Sequence, residues 1–182
     1  MAGELKSQMV RYSAYELDAR QIEQLTEQAF VRADDGKLHP DRDLVGRSAW
    51  VLGKRIGLSL DEQLRLLIGE TGLEHPFVQE EQMMPFLPIV RVANVDQGIR
   101  EAVISEHGYG HTAIIHSRNI ENMHKMACAM DTVIFVKNGP SYAGAGIGGE
   151  GFGTYSIAGP TGEGLTSPRT CLLYTSPSPR DG

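Results

Sequence analysis

The stretch Phe86-Leu-Pro-Ile-Val-Arg-Val92, continued by Asn94-Val-Asp-Gln97 and then by Thr112-Ala-Ile-Ile-His116, decides the fold. Phe86–Val92 is a short apolar run entered through Pro85, which reads as a strand. Asn94 is a helix N-cap with Gln97 at the reciprocal capping-box position, and Val95, Ile99, Ala102 and Val103 form the expected buried stripe. Thr112–His116 is the next strand. Asn119 then opens a helix whose Ile120, Met123, Ala127 and Met130 are expected to face inward, and Thr132–Val136 is a further strand. Strand, helix, strand, helix, strand at these spacings predicts parallel strands joined by right-handed crossovers. The fold class is α/β, an open and mostly parallel sheet with flanking helices.

Leu64–Ile68, upstream, is one more short apolar strand, and the first third of the chain reads as helical. Glu4–Arg11 is one helix. Asp18 with Gln21 forms a capping box, after which Ile22, Leu25 and Ala29 share a face. Leu44 to Ile56 places Ala49, Leu52 and Ile56 in helical phase across Gly46 and Gly53. Beyond Gly139 glycine dominates, with an outlying strand expected at Thr154–Ile157. A length of 182 residues suits one domain with its own core. The net charge of −6 argues against nucleic acid or an acidic membrane surface as the main partner. No apolar run approaches the ~18 residues of a membrane span, and no signal-peptide pattern opens the chain. Two cysteines, Cys128 and Cys171, do not make a disulfide framework, which fits a reducing, cytoplasmic setting.

Three motifs invite a function that their context opposes. Gly144-Ala-Gly146-Ile-Gly148-Gly149 matches a dinucleotide fingerprint, but that fingerprint needs a strand directly before it and a helix directly after it. Asn138 to Ala143 intervenes on one side, and Gly151–Ile157 reads as extended on the other, so a loop near an active site is the better reading. His107 and His111 have the four-residue spacing of helical metal ligands. Gly108 and Gly110 break any helix there and no third ligand is nearby, so no metal is expected. Neither imidazole is assigned a chemical step. Cys128 sits in Met126-Ala-Cys-Ala-Met130, mid-helix, with no adjacent His or Lys expected to activate it, and reads as a small apolar residue rather than a nucleophile.

Glu106-His-Gly-Tyr-Gly-His-Thr-Ala113, Phe135-Val-Lys-Asn-Gly-Pro140, Gly148-Gly-Glu-Gly151 and Pro160-Thr-Gly-Glu-Gly-Leu-Thr-Ser167 carry a more specific signal. Together they resemble the C-terminal half of the CoA-acylating aldehyde dehydrogenases, with a match from about Glu4 to Thr170. The resemblance implies the catalytic domain of the aldehyde dehydrogenase fold over residues 1–170, truncated at both ends, with the nucleophilic cysteine and the cofactor domain upstream of Met1. From Cys171 to Gly182 the sequence resembles a translated sequencing adapter and is expected to be a non-native tail.

The family's reaction is the NAD-dependent oxidation of a short aldehyde, such as acetaldehyde or propionaldehyde, to an acyl-CoA through a cysteine thioester. NAD and coenzyme A are the implied cofactor and co-substrate. The resemblance also implies a homo-oligomer, located in the cytoplasm or in the lumen of a bacterial microcompartment. Glu80-Glu-Gln-Met-Met-Pro85 takes the place of the superfamily's Glu-Glu-x-Phe-Gly-Pro segment, with Met83 and Met84 as in the CoA-acylating branch. By that correspondence Glu81 accepts hydrogen bonds from both hydroxyls of the nicotinamide ribose, a task suited to an ionised carboxylate. Asn138, Gly139, Pro140 and Ser141 are implied to lie over the aldehyde pocket, with Gly148, Gly149 and Glu150 closing it. Their position after a buried parallel strand agrees with where ligands collect in such sheets. Two other readings stay open from the residues alone: a non-catalytic nucleotide-binding or scaffold module on the same fold, and a metalloprotein built on the histidines.

Overall fold

The computed structural model describes residues 2–33 and 36–148. They fall into two compact units that divide between Val92 and Ala93.

In the first unit, helix α1 (Ala2–Arg11) leads into β1 (Ala14–Glu16), and α2 (Ala19–Ala29) follows. The Asp18 carboxylate accepts the Gln21 N–H at 2.8 Å while the Gln21 side chain accepts the Asp18 N–H at 3.0 Å, so the predicted capping box is present. Ile22, Leu25 and Ala29 are buried on one face, as the spacing requires. An antiparallel hairpin comes next, β2 (Phe30–Arg32) with β3 (Leu38–Pro40), and then α3 (Ala49–Arg55). Strand β4 (Leu66–Thr71), the short helix α4 (Pro76–Gln79) and β5 (Phe86–Val90) complete the unit. β4 pairs in parallel with β1 on one side and β5 on the other. Leu25, Leu44, Leu52 and Leu67 are fully buried beneath this sheet's cover, with Phe77 packed between Phe30 and Phe86 at ring-centroid distances of 4.9 and 4.5 Å. Each such aliphatic side chain contributes about 1.5–3 kcal/mol by leaving water.

The expectation of an all-helical first third is corrected here. Three short strands interrupt it, and the helix expected from Leu44 to Ile56 is confined to Ala49–Arg55. Gly46, at φ 70°, adopts a left-handed turn that a continuous helix could not contain.

Within the second unit the order is α5 (Val95–Ser105), β6 (Thr112–Ile115), α6 (Ile120–Met130), β7 (Ile134–Lys137) and α7 (Ser141–Gly144). β6 and β7 pair in parallel, Thr112 opposite Ile134 and Ile115 opposite Lys137, with α6 as the crossover. The α/β reading with parallel strands therefore holds in both units. The expected inward faces do not. α5 has no buried residue and Val103 is 40% exposed, while on α6 Ile120 is 79% exposed and only Met130 is buried. Among the described residues, two paired strands offer too narrow a surface to cover both helices. The Asn94 cap also differs in detail: its side chain accepts the Gln97 N–H at 2.9 Å, but the Gln97 side chain accepts from Ala93 N–H instead of Asn94. The expected strand at Thr154–Ile157 and the tail from Cys171 lie outside the described residues.

Candidate functional site

Glu81 follows α4 in the first unit. The helix starts at Pro76, where a missing N–H costs nothing, and His75 is its N-cap. Beyond it, Gln82 donates to the Phe86 carbonyl at 3.1 Å, Met84 is buried, and the Met83 carbonyl accepts the Gly46 N–H at 3.0 Å. Glu81 is thus carried on backbone anchored on both sides. Its side chain is exposed and has no hydrogen bond or ion pair among the described residues, which leaves both carboxylate oxygens free to accept. Met83 is 70% exposed and holds φ 50°, a left-handed conformation uncommon away from glycine. Strained, exposed positions of this kind concentrate where ligands are held.

The carboxyl ends of β1, β4 and β5 carry a charge network that the sequence did not disclose. Arg91 grips Glu70 through Nε at 2.6 Å and Nη2 at 2.7 Å. Lys6, whose side chain is 14% exposed, pairs with Glu70 as well and reaches Glu16 at 2.5 Å. The Arg91 and Lys6 hydrogen bonds hold the Glu70 carboxyl down at about 2, so it is ionised throughout the physiological range.

Beside this network, a cleft of about 620 Å³ is lined by Ile22, Thr26, Phe30, Leu38, Thr71 and His75, among others. His75 carries little signal in the sequence beyond a His-Pro pair ahead of an apolar run. Its Nδ1 accepts the Phe77 N–H at 3.3 Å. Its Nε2 lies 3.4 Å from the Thr26 hydroxyl, which already donates to the Ile22 carbonyl at 2.7 Å. Thr26 can therefore only accept from His75, which fixes the neutral Nε2–H tautomer. Burial pushes the His75 pKa below its ordinary value. A histidine whose folded pKa is depressed stabilises the fold above the unfolded value near 6.5, and that contribution is lost as pH falls below it. Urea midpoints measured between pH 8 and pH 5 should fall on acidification, and His75→Gln should flatten the step. An equal slope in both proteins would count against this reading of the ring.

In the second unit, Asn138 follows β7 and turns the chain at φ 53°. Its side-chain Oδ1 accepts the Ser117 N–H at 2.9 Å and its Nδ2 donates to the Ser117 carbonyl at 2.9 Å. Gly139 follows, and Pro140 is the N-cap residue of α7, which Ser141 opens. A methyl group on Gly144 would overlap Ile134 Cγ2 and lie 3.0 Å from Val136 Cγ2. The first glycine of the supposed fingerprint is therefore a packing glycine on β7, preceded by a helical turn where that motif needs a strand. Gly148 has φ 72°, and Gly149 and Glu150 lie outside the described residues.

The histidine loop occupies the other end of the same strand pair. His107, Gly108 and Gly110 all have positive φ, and the Gly110 and His111 carbonyls accept from Val133 and Ile134 at the start of β7. The Glu106 carboxylate receives the His111 N–H at 3.1 Å, and His111 Nδ1 lies 2.7 Å from the Thr112 hydroxyl. Among the described residues, no three His, Cys, Asp or Glu side chains converge as a metal site would require. One expectation about Cys128 is corrected. His124, one turn earlier on α6, places Nε2 at 3.7 Å from its sulfur, and Cys128 is exposed rather than packed as an apolar residue.

Comparison with known proteins finds similarity over nearly the whole chain. The chain is 52% identical over 171 residues to acetaldehyde dehydrogenase (acetylating) EutE of Salmonella typhimurium, a match covering 93% of this chain. It superposes on the crystal structure of Rhodopseudomonas palustris propionaldehyde dehydrogenase with bound propionyl-CoA at a TM-score of 0.84 and 48% identity, over 91% of this chain and 36% of that one. Over nearly its whole length the chain is similar to CoA-acylating aldehyde dehydrogenases. The propionaldehyde dehydrogenase of the Clostridium phytofermentans fucose-utilisation bacterial microcompartment also matches, at a TM-score of 0.84 and 44% identity over 93% of this chain and 38% of that one. No family model matches. The chain spans 37% of the length of its EutE relative. This similarity bears out the resemblance seen in the sequence, and with it the aldehyde dehydrogenase fold.

Proposed function

We propose that this chain supplies part of the catalytic domain of an enzyme that converts a short aldehyde, NAD and coenzyme A into an acyl-CoA and NADH. The observation that carries the reading is the 52% identity to an acetylating acetaldehyde dehydrogenase across nearly the whole chain. In support, Glu81 offers an unengaged carboxylate on anchored backbone, which fits the paired hydroxyls of a ribose. NAD, when bound, supplies the hydride acceptor. The chain's own part is to orient that cofactor through Glu81 and to shape the aldehyde side with the loop Asn138, Gly139, Pro140 and Ser141, which stands at the carboxyl edge of a parallel pair. Cys128 lies on a helix rather than at that edge, so the attacking thiol is not assigned to it. Acetaldehyde and propionaldehyde are the proposed substrates, and the setting of the C. phytofermentans relative supports a microcompartment as one location.

A hybrid tests this. Residues 4–170 of this chain would replace the matching segment of the Salmonella EutE enzyme, and NADH formation would be followed with propionaldehyde and CoA. The folded hybrid should turn over and should require CoA. A hybrid that folds like its parent yet stays inert would defeat the proposal.

A further inference from the structure

We propose that Asn138 is a positioning residue for the aldehyde side of the site, acting through a side-chain clamp on the Ser117 backbone and not by touching the substrate. The inference rests on the function proposed above and concerns a residue placed there only by its loop.

The clamp has a specific form. The Asn138 N–H donates to the Ile115 carbonyl at 2.8 Å, which is the last backbone rung between β6 and the end of β7. There the Asn138 backbone turns away at φ 53° and can offer no further rung. Its carboxamide takes over, accepting from the Ser117 N–H and donating to the Ser117 carbonyl, both at 2.9 Å. In a parallel ladder the Ser117 N–H would bond to the Asn138 carbonyl and the Ser117 carbonyl to the N–H two residues further on, which Pro140 lacks; the carboxamide supplies both partners, so the side chain lengthens the pairing by one position. The restraint continues into α6. The Ser117 hydroxyl accepts the Asn119 N–H at 3.0 Å, and the Asn119 side chain accepts the N–H groups of Glu121 and Asn122 at 2.8 and 3.3 Å. The starting point of Gly139, Pro140 and Ser141 is thereby tied to the loop that opens α6.

Two demands meet at this position, and substitutions separate them. Asparagine tolerates left-handed φ better than most side chains and carries a donor beside an acceptor. Asn138→Gly keeps the turn and loses the clamp. Asn138→Asp keeps the Ser117 N–H bond but sets a carboxylate oxygen against the Ser117 carbonyl. In the hybrid enzyme, both variants should raise the aldehyde KM by about 10- to 100-fold, the scale of a small misplacement of positioning groups. The KM for NAD should hold, and kcat should change by less than about 3-fold, because binding geometry rather than the chemical step is lost. In the 182-residue chain, amide exchange at Ser117 should be slow and should quicken at least about 10-fold in both variants. An unchanged aldehyde KM in both variants, or equal losses in aldehyde and NAD terms, would overturn the positioning role. Unaltered Ser117 exchange would overturn the clamp itself. An inert parent hybrid would instead defeat the aldehyde reading, and the exchange measurement would still decide the clamp.

Discussion

Glu81→Gln in the hybrid enzyme should lower kcat/KM for NAD by about 10- to 150-fold, the equivalent of one charge-assisted hydrogen bond of about 1.5–3 kcal/mol. The reasoning starts from what Glu81 does not do. Its carboxylate is exposed and holds no hydrogen bond or ion pair among the described residues, so folding gains nothing measurable from its charge. Glutamine keeps the length and one acceptor oxygen, but it replaces the second acceptor with a donor, which would face a ribose hydroxyl already donating. Melting temperature should therefore move by no more than the scatter of a neutral surface substitution, within about 0.5 kcal/mol. The segment around it is held by Met84 in the core and by the Gly46 hydrogen bond to Met83, so the loss is not rescued by movement of the backbone. Unchanged steady-state kinetics would remove Glu81 from the cofactor site, and a parallel loss of stability would reassign it to the fold.

How much of this could be seen in the sequence depended on whether the relevant physics was local. The caps at Asp18, Asn94 and Asn119 were legible because cap and partner lie within three residues. β5 to β7 were legible as contiguous apolar runs, and β4 only in its first half, since Gly69, Glu70 and Thr71 extend it beyond the apolar run Leu64–Ile68. β1 (Ala14–Glu16) was not, since three residues show no period and this strand exists through its pairing with Leu66–Ile68. The hairpin ending in Pro40 carried a residue that normally argues against a strand, and it survives because the hairpin has only two strands. At the candidate site, Glu81 was named by family resemblance alone, and the Asn138 loop by that resemblance together with its place after a buried parallel strand. The Asn138 grip on Ser117 spans 21 residues and the His75–Thr26 contact 49, distances across which no pattern points. His124 beside Cys128 is a different case: the two are four apart on a predicted helix, a local spacing that brings side chains together.

Leu67→Ala should cost about 2–5 kcal/mol of stability, against well under that for Leu5→Ala. Leu67 has no exposed surface and lies in β4, the strand with partners on both sides, opposite Tyr15 on β1 and Phe86 on β5. Removing its branched end leaves a void in a layer that also contains Leu25 and Leu52, and the paired backbones on either side limit how far the neighbours can close it. Leu5, on α1, is 54% exposed and leaves no such void. Since domains of this size are stable by only about 5–15 kcal/mol, the first loss is a large share of the whole and should appear as a lowered urea midpoint with an unchanged slope. The effect should also reach the charge network, because Glu70 sits three residues along the same strand and its bonds to Arg91 and Lys6 depend on where β4 ends. If Leu67→Ala and Leu5→Ala shifted the midpoint equally, β4 would not be the centre of the first unit's core. The placement of Glu70, Thr71 and the segment leading to Glu81 would then need another support.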